Sequence, residues 1–319
     1  MNLPCFRGVT AVPCPEVKSL LECVRSSGSR YPLSRQKVRM AMFTVSHRAK
    51  RLVFSSILCL CFWFLPTGFS ATAWAEHEGK IQVLLLGDST TEGSVPRRLK
   101  PAGPHLEQML ESLLAAEGNL PAVRVINSGL SGEYIERLFS SGRYDRDVAK
   151  LPGLDYIFIR YGLNDRARRE NFEVNFPLDF HQLLARLRED HPRARLIPMT
   201  VIPYADEAAS QQMNDLIRQV GSAEKLEVFD IYPAYAAALE QGPNMLNYRR
   251  FPLASIPEKY HPLVKPYVNG PSVEVMDNEL DAVLGHLPGW YRDRHPNLAG
   301  YNVIAVETAK FLTEKLRPN

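Results

Sequence analysis

From Ile81 onward, short runs of β-branched and aliphatic residues alternate with longer stretches whose apolar positions recur every three or four residues. The short runs, at Ile81–Leu86, Val123–Asn127, Tyr156–Tyr161, Arg195–Val201 and Glu227–Ile231, predict five strands. The longer ones, at Leu106–Ala116, Phe176–Asp190, Glu207–Ala223 and Leu298–Leu316, predict helices. In the last of these, Ala299, Val303, Val306 and Phe311 belong to one apolar face. This alternation predicts an α/β domain built on a parallel five-stranded sheet. Residues 241–290 break the rhythm: the stretch is rich in Pro, Tyr and charge and weakly periodic, which marks an insertion whose aromatic content predicts an ordered cap.

The pattern upstream is different in kind. Basic Arg48-Ala49-Lys50-Arg51 precedes an uncharged apolar run from Leu52 to Leu65, then Pro66, Gly68 and the small-residue exit Ala73-Trp74-Ala75. That is the layout of a secretory signal peptide, with an uncleaved membrane anchor as the alternative. A signal of ordinary length begins near Met40, so residues 1–39 are expected to be a mis-assigned or disordered extension, 40–75 the signal, and 76–319 the working domain. The expected location is periplasmic or extracellular.

Charge supports this division. Residues 1–51 carry ten Lys/Arg against Glu16 and Glu22, and residues 52–75 carry no charge. Of the chain's net +3, the body from residue 76 therefore holds −5. A mildly acidic body gives no electrostatic reason to expect nucleic acid as a partner. All five cysteines (Cys5, Cys14, Cys23, Cys59 and Cys61) precede that body, which excludes a cysteine nucleophile or thiolate metal site within it.

Ligands of open parallel sheets meet the carboxyl ends of strands. Three such ends offer small or hydrogen-bonding residues: Gly87-Asp88-Ser89, Asn127-Ser128-Gly129-Leu130-Ser131-Gly132 and Gly162-Leu163-Asn164-Asp165. A serine at such a turn presents its hydroxyl and its backbone N–H to one carbonyl. Gly132 can add a second N–H and Asn164 a side-chain amide as oxyanion donors. A serine hydroxyl needs a base, and a base needs an orienting acceptor. Asp293-Arg294-His295-Pro296-Asn297 supplies both, making Ser89, Asp293 and His295 a candidate triad. Asp277 and Asp281 are alternative acids, and a helix cap is the competing role for Ser89.

Together these segments resemble the SGNH (GDSL-like) hydrolase superfamily. Gly87-Asp88-Ser89-Thr90-Thr91-Glu92-Gly93, Asn127–Gly132, Gly162-Leu163-Asn164-Asp165 and His295-Pro296-Asn297 are similar to its four blocks, in order, across residues 81–316. The resemblance implies a flavodoxin-like three-layer α/β/α sandwich and ester hydrolysis without metal or organic cofactor. It also implies a Ser89 nucleophile, a His295 base, and an oxyanion hole from Ser89, Gly132 and Asn164. One departure stands out. The family usually sets its acid three residues before the histidine, where this chain has Arg292, and Asp293 stands two before.

The substrate expected from export and a polar, aromatic insertion is a carbohydrate O-acetyl ester, with Tyr248, Tyr260, Trp290 and Tyr291 as candidate cleft aromatics. Lysophospholipase or thioesterase activity, and a catalytically silent glycan-binding module, are the competing readings. Arg166, Arg168 and Arg169 follow the third block as a solvated loop end or an anion-meeting rim.

Overall fold

The computed structural model describes residues 79–204, 206–240 and 246–317. The predicted N-terminal extension and export segment lie outside the described residues, as do residues 241–245 at the start of the insertion.

Four parallel strands form the central sheet: β1 (Ile81–Gly87), β2 (Val123–Gly129), β3 (Tyr156–Arg160) and β4 (Arg195–Pro198), in the order β2-β1-β3-β4. Side chains alternate across it. Val83, Leu85, Val125 and Phe158 face one core, and Leu84, Leu86, Ile157 and Ile159 face the other. Both faces are buried, which is why these strands read as near-continuous apolar runs. On the first face lie the helices Leu106–Ala116 and Leu298–Leu316, and on the second Phe172–Asp190 and Glu207–Ala223, giving three layers. The helix predicted from Phe176 begins four residues earlier. Phe172 stacks on Phe176 at 5.0 Å and Phe176 on Phe180 at 5.7 Å, an i, i+4 aromatic ladder that extends the first turn.

The predicted fifth strand is reduced to one bridge. Phe229 N donates to Pro198 O at 2.9 Å and Thr200 N to Phe229 O at 3.1 Å, pairing Phe229 with Met199. The next step of a parallel ladder toward the strand's start requires an N–H at residue 198, and proline has none. Glu227–Ile231 thus occupies the fifth position beside β4 without forming a full strand.

The insertion builds its own small core. Antiparallel β5 (Arg249–Pro252), β6 (Val268–Asn269) and β7 (Ser272–Val275) pair in the order β5-β7-β6. Phe251, Val264, Val273, Leu284 and Trp290 are buried together beside them. Arg249, fully buried, donates to Asp281 through Nε at 2.8 Å and Nη2 at 2.5 Å, and Trp290 Nε1 donates to the same carboxylate at 2.7 Å.

Candidate active site

β1 ends in a sharp turn into the four-residue helix Ser89–Glu92. Asp88 caps that helix: its buried carboxylate accepts from Thr90 N and Thr90 Oγ1, both at 2.8 Å. Burial raises the Asp88 pKa despite these bonds and the nearby Arg160. Because Asp88 is the cap, Ser89 sits in the first helical position, and its hydroxyl is available to another partner. The turn packs tightly on β2, where a Cβ added at Gly129 would stand 2.2 Å from Glu92 N, so only glycine fits. Beneath the turn, buried Arg160 at the end of β3 donates to Thr90 O and, at 3.3 Å, from Nε to Thr91 Oγ1.

Ser89, His295 and Asp293 form a hydrogen-bonded line. Ser89 Oγ is 3.0 Å from His295 Nε2, and Asp293 Oδ1 is 2.7 Å from His295 Nδ1. The same Oδ1 accepts the His295 backbone N–H at 3.0 Å, and Oδ2 takes Arg250 Nη2 at 2.7 Å. These contacts explain how the shifted spacing is tolerated. With only one residue between them, the carboxylate reaches the imidazole by folding back over its backbone, and Arg250 holds the other oxygen. Burial pushes the Asp293 pKa up, but the bonds from His295 and the charge of Arg250 outweigh it, leaving a net lowering. Tyr204 stands edge-on to the imidazole, its hydroxyl 3.0 Å from Nδ1. The alternative acid Asp281 is occupied by Arg249 and Trp290 within the insertion.

The predicted oxyanion donors line the same cleft as Ser89 and His295, about 440 Å³ in volume. Among the described residues, neither the Ser89 nor the Gly132 N–H donates to a backbone carbonyl. Gly132 takes φ +74°, a left-handed conformation natural to glycine, and its carbonyl accepts from Arg168 Nη1 at 2.5 Å. Asn164 Nδ2 donates to Glu133 O at 3.0 Å, leaving its second amide proton for a ligand. Glu133, buried, fixes this loop through Arg143 and the Tyr161 hydroxyl. Arg143 also donates to Ser128 O at 2.9 Å. Asn164→Ala is expected to lower kcat by about 10²- to 10³-fold with little change in KM, as for loss of one oxyanion donor. Steady-state kinetics on an aryl acetate checks this, and an unchanged kcat would remove Asn164 from the hole.

Asp165 turns away from the cleft, accepting Ile135 N and Gly162 N at 3.0 Å each. Burial pushes its pKa up to about 7. The unfolded chain loses this proton near pH 4 and the folded chain keeps it to about 7. Its stabilising contribution is therefore full below about pH 4 and is lost as pH rises through 7. Urea midpoints at pH 5 and pH 8 are expected to differ less in Asp165→Asn than in the parent. An equal difference in both would assign the pH dependence to other groups.

Sequence reasoning missed Tyr204, Arg250, Glu133 and Arg160. Their only signal is charge or hydroxyl in otherwise apolar or irregular segments, which does not identify a partner. Of the four cleft aromatics proposed, Tyr248 lines the cleft. Trp290 fills the insertion's core, Tyr291 lies under Arg249, and Tyr260 packs beside that core, because the insertion consumes its aromatics in burying itself. Arg169 pairs with Asp179 at 2.6 Å, whereas Arg168 reaches the cleft.

A model of the GDSL-like Lipase/Acylhydrolase family matches residues 85–303. Among solved structures, the lipase/acylhydrolase from Enterococcus faecalis is 18% identical, with a TM-score of 0.44, covering 75% of this chain and 98% of its own. LAE5, an alpha/beta hydrolase enzyme from the metagenome of Lake Arreo, Spain, is 21% identical with a TM-score of 0.46, covering 75% and 97%. Axe2, an acetylxylan esterase from Geobacillus stearothermophilus, is 19% identical with a TM-score of 0.46, covering 73% and 94%. No match emerges among curated proteins.

Proposed function

Because this chain belongs to the GDSL-like lipase/acylhydrolase family, whose members hydrolyse esters, we propose that it removes short acyl groups, acetyl foremost, from carbohydrate esters through an acyl-enzyme on Ser89. His295 Nε2, 3.0 Å from the hydroxyl, takes its proton as Oγ attacks the ester carbonyl. The developing imidazolium is oriented and stabilised through Nδ1 by Asp293. Negative charge on the former carbonyl oxygen meets the N–H groups of Ser89 and Gly132 and the amide of Asn164. His295 then gives its proton to the departing alcohol, and water repeats the sequence to release the acid and restore Ser89.

The observation that carries the choice of substrate is the lining of the cleft. Among the described residues, Val95, Leu163 and Ala167 are its only aliphatic side chains, and the rest are serine, tyrosine, asparagine, histidine, arginine and glycine. A long acyl chain requires a continuous apolar wall, whereas an acetyl group on a polyhydroxy alcohol suits this one. The export expected from the sequence upstream of residue 76 would fit the same picture, placing the domain with acylated polysaccharides outside the cytoplasm. The test is a series of p-nitrophenyl esters from acetyl to dodecanoyl, together with acetylated xylo-oligosaccharides. Acetyl is expected to give the highest kcat/KM, and the oligosaccharide to release acetate. A preference for octanoyl or longer would reassign the enzyme to lipid esters.

A further inference from the structure

The body of the chain is net acidic, yet Arg98, Arg168 and Arg250 line the catalytic cleft, and among the described residues no Asp or Glu lines it. These arginines come from three separate segments, so a local run of basic sequence does not account for their convergence. Two of the three are ion-paired and keep part of their guanidinium toward solvent. Glu274 pairs with Arg98, and Asp293 is shared by Arg250 and His295. Glu92 accepts Ser131 N at 2.7 Å and Ser131 Oγ at 2.6 Å. Arg168 meets Gly132 O and has no carboxylate partner among the described residues, so the rim holds an uncompensated positive charge.

The arginines also divide by side. Arg168 stands with Gly132, on the oxyanion side. Arg250 stands behind His295 through Asp293, and Arg98 reaches Tyr248, whose ring faces the imidazole. The alcohol leaves toward His295 Nε2, the atom that returns its proton. Arg98 and Arg250 line the same cleft, and both keep half of their side-chain surface or nearly so in solvent.

We propose that the cleft selects esters whose alcohol half carries a carboxylate, of the uronic-acid or hydroxy-acid class, over neutral esters of the same shape. This rests on the ester-hydrolysing reading above and narrows it. Arginine suits the task because its planar fork pairs with a carboxylate through two parallel N–H donors, and a cluster of one sign raises the local concentration of anions.

The test compares 4-acetoxybenzoate with 4-acetoxybenzamide, two aryl acetates of the same shape that differ in charge opposite the ester, each rate taken relative to its uncatalysed hydrolysis, using the full chain and p-nitrophenyl acetate as a control. The benzoate is expected to have a kcat/KM about tenfold higher at low ionic strength, falling toward that of the benzamide in 0.5 M salt. Arg98→Gln and Arg168→Gln are each expected to reduce the benzoate-to-benzamide ratio, and Arg98→Lys to restore it in part. Equal rates on the two esters, or a ratio indifferent to salt and to both substitutions, would overturn the selectivity while leaving ester hydrolysis intact. Loss of turnover on all three acetates in the parent enzyme would overturn both.

Discussion

Replacing Ser89 by alanine is expected to lower kcat on p-nitrophenyl acetate by about 10⁴- to 10⁶-fold, with far-UV circular dichroism and melting temperature close to the parent's. The size follows from how little else the side chain does. Asp88, not Ser89, caps the short helix, and the hydroxyl meets His295 Nε2 at 3.0 Å. Removing it costs the fold one partly exposed hydrogen bond and the reaction its nucleophile. Residual turnover would come from the oxyanion donors and bound water. Activity within tenfold of the parent would place the attacking group elsewhere.

Asp293→Ala is expected to lower kcat by about 10³- to 10⁴-fold while KM changes little, because the carboxylate acts on the imidazole and not on the ester. Its side chain is only 6% exposed and makes three contacts: two on Oδ1 from His295 and one on Oδ2 from Arg250. Truncation therefore leaves both the imidazole N–H and the Arg250 guanidinium short of an acceptor. Since the Asp293 pKa lies below its ordinary value, its stabilising contribution is full above about pH 4 and is lost as pH falls through the folded value. The acid limb of the pH–rate profile should accordingly belong to another group. A variant retaining most of the parent's kcat would shift the orienting role to Tyr204, whose hydroxyl is 3.0 Å from the same nitrogen.

The sheet was legible because both its faces are buried. Four of five predicted strands form, and the fifth stops at a single bridge for want of an N–H at Pro198. Recognising that stop requires knowing which way Pro198 points, and the strand pattern alone does not carry that direction. Ser89, Gly132, Asn164 and His295 were legible because each lies at a strand end or beside a helix start, where local order and spatial order coincide. Asp293 was legible by proximity to His295, but its manner of support was not. Arg250 is 43 positions away, inside a weakly periodic stretch, and only the folded insertion carries its guanidinium to that carboxylate. The same limit applies to the aromatics of the insertion, whose fate depends on which of them its own small core recruits.

That insertion is not a detachable module. Tyr248 N donates to His295 O at 3.0 Å and Asn297 N to Leu246 O at 2.9 Å, so Asn247 and Pro296 form an antiparallel bridge at the base of the histidine loop. Residues 246–250 therefore act as a splint for the segment that carries the base. Among relatives built on this plan, insertion and histidine loop should change together in evolution. An engineered version trimmed to the three-layer core would need a new brace for residues 293–297 before it could be expected to turn over.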